Sequence, residues 1–465
     1  MLSGIRNYFF KETPSVSTPN SEACEAKQMP KSTKGSSVNN ANTVEEKPFR
    51  ATHLREGEGS SGVIDRVYNR VREYFYQNCK GKEPAQPEKI NEAMRNIGGE
   101  GIDLEAGKDV NMRGMFFGVD SLLNSLKEAG AQKGALFDKQ ANESIPAFVF
   151  DPTHAGYENQ MKSLEQMGFF KVMHTDPASG VPNVIVDGIW EKREIDGKIY
   201  VFTNENFAKL TKDKAFPGGK LDLNRFTVEN PQDVAPTDKS NRHVVILNGA
   251  IYSRFESLRT ASEIAKLLSL GVDVIVSEDK HPRIVDTESH ECVMANRKAV
   301  YQKLCERGYS NEQMIWKGTC FSAIPAAEAA AMYEGSHAII DQGYMSAKEM
   351  VIKQATPSYF SFLRPLVAPV VGKLADAVDF KYEMADHLPK IQGKVCLISN
   401  ANDEVVDSGD IVRMKASLGD KQAVQEMVIT NRVIKHAGAW FKDRKVKSQF
   451  ENFLLQEGFA NGAIL

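Results

Sequence analysis

The stretch Met314-Ile-Trp-Lys-Gly-Thr-Cys-Phe-Ser-Ala323, running on through Ile-Pro-Ala-Ala-Glu-Ala-Ala-Ala-Met332, limits the folds open to this chain more than any other. Three apolar residues, Met314 to Trp316, predict a short buried strand; Gly318 to Ser322 predicts a tight turn; the alanine run predicts a helix. A cysteine, Cys320, thereby stands on a strand-to-helix corner. A side chain on such a corner projects clear of the sheet, and the first amides of the helix favour negative charge on an atom near them. Small residues also surround inert core cysteines, so these residues alone leave both readings open.

What surrounds the corner is an alternation of apolar runs and amphipathic stretches. His243 to Leu247 is a continuous apolar run suited to a strand buried on both faces. Leu258 to Leu270 predicts a helix, with Ala261, Ile264, Leu267 and Leu268 on one side and Gly271 as its stop. Val272 to Val276 predicts the next strand, Ala299 to Arg307 a helix capped by Gly308, and Ala338 to Asp341 a strand after the alanine helix. Lys394 to Ser399 and Gln425 to Ile429 predict two more strands, and Lys445 to Gln456 a final helix carrying Val446, Phe450, Phe453 and Leu454. Strands and helices in strict alternation predict a doubly wound, mostly parallel sheet. The apolar segment Tyr359 to Val378, with Pro365 and Pro369 in it, interrupts that order where a lid would be inserted.

The first half of the chain has a different texture. Residues 13 to 46 are rich in Ser, Thr, Asn, Pro and Lys and too poor in large apolar groups to offset the entropy of ordering, so residues 1–60 are expected to be a disordered tail. Val63, Ile64, Val67, Val71, Tyr74 and Phe75 recur at helical spacing, as do Met115, Phe116, Val119, Leu122, Leu123 and Leu126, so 61–140 is expected to be a helical region. From about 141 to 240 the pattern predicts antiparallel strands and short helices leading into the core. Within it Asp196-Gly197, between Arg193 and Phe202, predicts a two-residue hairpin turn, and a second antiparallel element follows Pro217-Gly-Gly219. These strands are expected at the leading edge of the sheet, with the core proper over 241–465 and the lid over about 355–392.

Composition removes several function classes. Lys+Arg of 58 against Asp+Glu of 61 leaves a net charge of -3 with no basic stripe, so nucleic acid is not an expected partner. No apolar run reaches the length of a membrane span, and the first residues lack the apolar core of a cleaved signal peptide. The chain is expected in a cytoplasm. Six cysteines at 24, 79, 292, 305, 320 and 396 show neither disulfide-scaffold nor zinc spacing. His281, His290 and Cys292 match no metal motif and read as a solvated loop.

Two further residues fall in loops that follow predicted strands. After Ser399 comes Asn400-Ala-Asn-Asp403-Glu404-Val-Val, and after Ile429 comes Thr430-Asn-Arg-Val-Ile-Lys-His436-Ala-Gly438. Cysteine, acid and histidine thus occur in the order of a nucleophile, an orienting carboxylate and a base, each at the end of a strand. Glu404 and Asp407 compete with Asp403 for the acidic place, since Asp403 also suits a helix cap.

With these motifs in place, residues of about 240 to 460 resemble the α/β-hydrolase superfamily. Asn248-Gly249-Ala250, the corner Gly318 to Ser322, the Asn-Asp-Glu-Val loop and the His-Ala-Gly loop look like its matching motifs. The resemblance implies Cys320 as nucleophile, His436 as base, Asp403 as orienting acid, and the backbone N–H groups of Phe321 and Ala250 as the oxyanion hole. It calls for no cofactor and no metal. It departs from the usual pattern in three places: Cys320 stands for the commoner serine, as in the dienelactone hydrolase-like and polyester synthase-like branches, Ser322 stands for a second glycine, and Asn-Gly stands where relatives carry His-Gly. The implied function is hydrolysis or transfer of an acyl group through a Cys320 thioester, with a small-molecule or acyl-bearing substrate; the competing expectation is a hydrolase fold kept as an inactive interaction module. The polar N-terminal region is similar in composition to that of bacterial effectors delivered into host cells without a cleaved signal peptide, and would then contact a protein partner.

Overall fold

The computed structural model describes residues 87–105, 111–175, 182–211, 222, 224–234, 241–248, 257–277, 290–350, 365, 369, 382–406, 408–419, 424–434, 436–462 and 464–465. The expected tail, the helix from Val63, Gly249 and Ala250, His281, Asp407 and most of the lid lie outside the described residues.

In chain order the elements are α1 (Pro87–Asn96), β1 (Gly99–Glu105), β2 (Asn111–Phe117), α2 (Val119–Glu128), β3 (Gln132–Asp138), β4 (Glu143–Phe150), α3 (Tyr157–Gln166), β5 (Val172–Thr175), β6 (Pro182–Val186), β7 (Trp190–Ile195), β8 (Lys198–Thr203), α4 (Asn204–Thr211) and β9 (Phe226–Asp233). Then follow β10 (Val244–Asn248), α5 (Leu258–Ser269), β11 (Asp273–Ser277), α6 (His290–Glu306), β12 (Met314–Thr319), α7 (Ala323–Met332), β13 (His337–Asp341), β14 (Val395–Asn400), α8 (Ser408–Leu418), β15 (Val424–Ile429) and α9 (Arg444–Gln456).

Eight strands form the main sheet in the order β1-β2-β11-β10-β12-β13-β14-β15. β1 and β2 are antiparallel, β2 joins β11 antiparallel, and every later pair is parallel. Numbered among themselves, these strands lie as 1-2-4-3-5-6-7-8, which is the order of an α/β-hydrolase fold. The parallel strands are buried on both faces: Val245, Ile315, Ile339 and Cys396 enter one apolar cluster, while Val244, Ile246, Trp316 and Ile340 enter the other. That two-sided burial is why they read as unbroken apolar runs.

The first half corrects two expectations. Residues 61–140 are not simply a helical region, because β1 and β2 lie within it. The apolar positions from Met112 onward fit a helical period, yet the segment is a strand to Phe117 and a helix only from Val119, since pairing with β1 on one side and β11 on the other satisfies its backbone. The leading edge of the sheet is therefore β1–β2. The strands expected there instead make a separate five-stranded antiparallel sheet, β7-β8-β4-β3-β9, with β3 already begun at Gln132. Its hairpin turns as the Asp-Gly pair requires, with φ of 50° at Asp196 and 74° at Gly197.

This second sheet has a core of its own around Leu136, Ile145, Tyr200, Phe202 and Phe226. Its opposite face, with Phe148, Phe150 and Trp190, joins the cluster that fills one side of the main sheet. A buried ionic group ties α2 to the starts of β10 and β11. The Arg242 guanidinium donates two bonds of 3.2 Å to Asp120 and lies 3.6 Å from Asp273, which in turn accepts from the Val119 amide at 2.6 Å. Among the described residues no helix is long and apolar enough to cross a membrane.

Candidate active site

Parallel strands deliver their following loops to one edge, so β12, β13, β14 and β15 send the segments after Thr319, Asp341, Asn400 and Ile429 to a common rim. At the first of these, β12 breaks into a 3₁₀ turn, Cys320–Ser322, that continues into α7. Cys320 has φ of 58°, in the left-handed region that a non-glycine residue enters only when its surroundings impose it. Gly318 makes the corner possible, because a Cβ there would overlap the Ser322 carbonyl. Ser322 fits, buried and in right-handed conformation, so the missing second glycine does not open the turn.

The loop after β15 is gripped at its start by Asp443, whose Oδ2 accepts from the amides of Thr430 and Asn431 at 2.9 and 3.1 Å. Its other oxygen caps α9 through Lys445 and Val446. The loop then turns through Ala437, at φ of 52°, and places His436 over the cysteine. His436 Nε2 lies 2.9 Å from Cys320 Sγ, and Nδ1 lies 2.8 Å from Asp403 Oδ2. The other Asp403 oxygen accepts from the amides of Val405 and Val406 at 2.8 and 2.9 Å, so the carboxylate both closes its turn and faces the imidazole. Of its rivals, Glu404 is exposed and Asp407 lies outside the described residues.

The cluster is almost dry: side-chain exposure is 3% for His436 and 2% for Asp403, and Cys320 is 1% exposed. Burial opposes a charge on His436, but the Cys320 sulfur and the Asp403 carboxylate outweigh it, so the imidazole is pushed up to about 10. An imidazole paired on both nitrogens in this way is held in one orientation and carries its proton.

Cys320 shares its apolar cluster with the aromatic side chains of Phe321, Tyr344 and Tyr382. Phe321 packs edge-on against Tyr382 at 4.7 Å between ring centroids, and Tyr382 meets His290 at 5.1 Å. His290 does not belong to a solvated loop: it begins α6 and lies 2.6 Å from Glu328, which also faces His387 at 3.5 Å. Tyr344 is buried, and its hydroxyl meets no hydrogen-bond partner among the described residues. Burial, with the Cys320 sulfur and Tyr382 adding to it, pushes that phenol well above its ordinary value, so it remains a donor. Cys396, inside β14, is pushed up by burial, with the Asp341 carboxylate adding to it.

Of the residues singled out in the sequence, Cys320, Asp403 and His436 meet, Phe321 lies beside the cysteine at the first turn, and Ala250 lies outside the described residues. Sequence reasoning missed what lies beneath them, a set of charged side chains, buried at Lys317, Asp341 and Glu263 and part-buried at Arg259. The available signal was a lysine inside an otherwise apolar strand.

No protein-family profile and no curated protein matches the chain. Among solved structures, an esterase of Pyrococcus furiosus is similar to it at 15% identity and a TM-score of 0.34, over 47% of this chain and 82% of that one. Est1E from Butyrivibrio proteoclasticus is similar at 13% identity and a TM-score of 0.35, over 48% and 91%. A 2,6-dihydroxy-pseudo-oxynicotine hydrolase is similar at 14% identity and a TM-score of 0.36, over 59% and 70%. The assignment of the α/β-hydrolase fold rests on the strand order of this chain itself.

Proposed function

We propose that this protein is an acyl hydrolase or acyltransferase that acts on an ester, thioester or amide through a thioester on Cys320. The observation that carries the reading is the run of contacts from sulfur to imidazole to carboxylate at the C-terminal edge of the sheet, at 2.9 and 2.8 Å. An imidazolium beside the sulfur stabilises a thiolate, the reactive form of cysteine. That thiolate attacks the acyl carbon, and the oxyanion that develops is held by the amides of Phe321 and Ala250. Collapse breaks the bond to the leaving group, which takes its proton from His436. The now neutral His436 then takes a proton from water or from an acceptor hydroxyl, thiol or amine, which attacks the thioester and frees Cys320. Asp403 keeps the ring oriented through both halves.

Tyr344 offers a further donor for the substrate, since its hydroxyl is buried, protonated and without a partner among the described residues. Cys320 and His436 call for no cofactor in this chemistry.

The test is turnover of an ester and thioester panel by the wild type and by Cys320→Ala, Cys320→Ser and His436→Ala, together with labelling by iodoacetamide. Turnover and labelling at Cys320 are expected to vanish in Cys320→Ala, and both to fall by about 10³-fold or more in His436→Ala, as for loss of a general base. Wild-type labelling at Cys320 no faster than at Cys396 overturns the mechanism. Folded wild type without turnover on any substrate favours the inactive interaction module.

A further inference from the structure

Lys317 stands in β12, three residues before Cys320, with a side chain 1% exposed. Its Nζ lies 2.9 Å from Glu263 Oε1 and 3.0 Å from Asp341 Oδ2, and donates to Thr319 Oγ1 at 3.2 Å. Asp341, wholly buried at the end of β13, also accepts from Thr319 Oγ1 at 3.0 Å and from Gln342 Nε2 at 3.1 Å, and faces the Arg259 guanidinium at 3.7 Å. Burial opposes both charges, yet the carboxylates hold Lys317 above its ordinary value, and Lys317 with Arg259 holds Asp341 below its own. Two cations and two anions thus balance beneath the rim.

What this group holds is the histidine loop. Arg259 Nη1 donates to the Ala437 carbonyl and Gln342 Nε2 donates to the Gly438 carbonyl at 3.0 Å. Trp440 Nε1 donates to Glu263 at 2.8 Å. Asn400 Nδ2, 3.4 Å from the Gln342 side-chain oxygen, donates to the Ile434 carbonyl at 3.0 Å. These bonds grip the loop on both sides of His436. A buried ion pair is a poor source of stability, since apolar side chains of equal volume often serve as well. Its use here is directional: a carboxylate at 341 orients the two donors that reach the loop.

We propose that Asp341, neutralised by Lys317, is a positioning residue that acts through Arg259 and Gln342 to hold the His436 imidazole on Cys320. The effect on turnover rests on the acyl-transfer reading; the effect on the sulfur does not. Removing Asp341 or Lys317 alone would strand a buried charge, so the test cuts the outer bonds. Arg259→Gln removes the cation between Asp341 and Ala437. Gln342→Asn tolerates the left-handed backbone at 342, where φ is 51°, but is too short to reach Gly438.

The full chain is measured for the pH profile of Cys320 alkylation by iodoacetamide, for kcat and KM on the best ester of the panel, and for its melting temperature. Each variant is expected to melt within a few degrees of the wild type, to lose about tenfold in alkylation rate at neutral pH with a profile displaced toward that of His436→Ala, and to lose about 10²-fold in kcat with KM nearly unchanged, as for a misplaced catalytic group. A folded Arg259→Gln with the wild-type profile and kcat overturns the proposal. If Arg259→Gln does not fold, the same result in Gln342→Asn overturns it. A wild type whose alkylation profile already matches that of His436→Ala overturns this proposal and the acyl-transfer reading together, whereas unaltered profiles in the two variants overturn only the former.

Discussion

At the scale of single residues, the site concentrates features that ordinary cores avoid. Cys320 holds a left-handed backbone, His436 a buried proton, and Tyr344 a buried hydroxyl with no partner among the described residues. Such costs of about 1–3 kcal/mol each persist where other contacts over-determine them. Tyr344→Phe removes the unsatisfied hydroxyl and is expected to raise stability by about 1 kcal/mol in urea unfolding, while kcat falls by up to about 10²-fold, the scale of a lost oxyanion donor. His436 titrates near 6.5 when unperturbed and about 10 in the fold, so its charge contributes stability that is whole below the former and lost as pH rises through the latter. The stability gap between wild type and His436→Gln is therefore expected to narrow from pH 6.5 to about 10, measured by urea unfolding at each pH.

At the scale of elements, one aspartate joins a helix to the histidine loop. Asp443 caps α9 with one oxygen and holds Thr430 and Asn431 with the other, and those amide bonds keep its carboxyl below the ordinary range even though burial pushes the other way. Asp443→Ala is expected to cost about 1–2 kcal/mol, the loss of a cap with its added bonds, and to speed hydrogen exchange at Thr430 and Asn431 in a full-chain measurement. The corner at β12 and α7 depends in the same way on Gly318. β2 shows the opposite relation between sequence and element: its apolar spacing suits a helix, and partners on both sides make it a strand.

At the scale of the whole molecule, the five-stranded sheet and the main sheet share an apolar cluster, and the Arg242 ion group ties α2 to the starts of β10 and β11. Arg242→Met leaves Asp120 and Asp273 buried against each other and is expected to destabilise the chain by about 3–5 kcal/mol, read by urea unfolding. Because Trp190 sits in the five-stranded sheet, Trp316 in the main sheet and Trp440 in the 3₁₀ turn before α9, tryptophan fluorescence reports both sheets. A single coincident transition by fluorescence and circular dichroism is expected from the shared core.

The alternation of apolar runs after residue 240 was enough to assign a doubly wound sheet, because a strand buried on both faces carries its signature within itself. The corner at Cys320 and the order of Cys320, Asp403 and His436 were legible for the same reason, being local turn chemistry placed after local strands. Which strands pair was not legible: β2 joins the sheet from a stretch whose period suits a helix, and its partner β11 lies far along the chain. Nor was the group at Lys317, whose outermost bond, from Arg259 to Ala437, joins residues 178 apart. Periodicity records only what a segment buries; the partner that buries it, and the charge that a buried lysine needs beside it, exist only once distant segments meet.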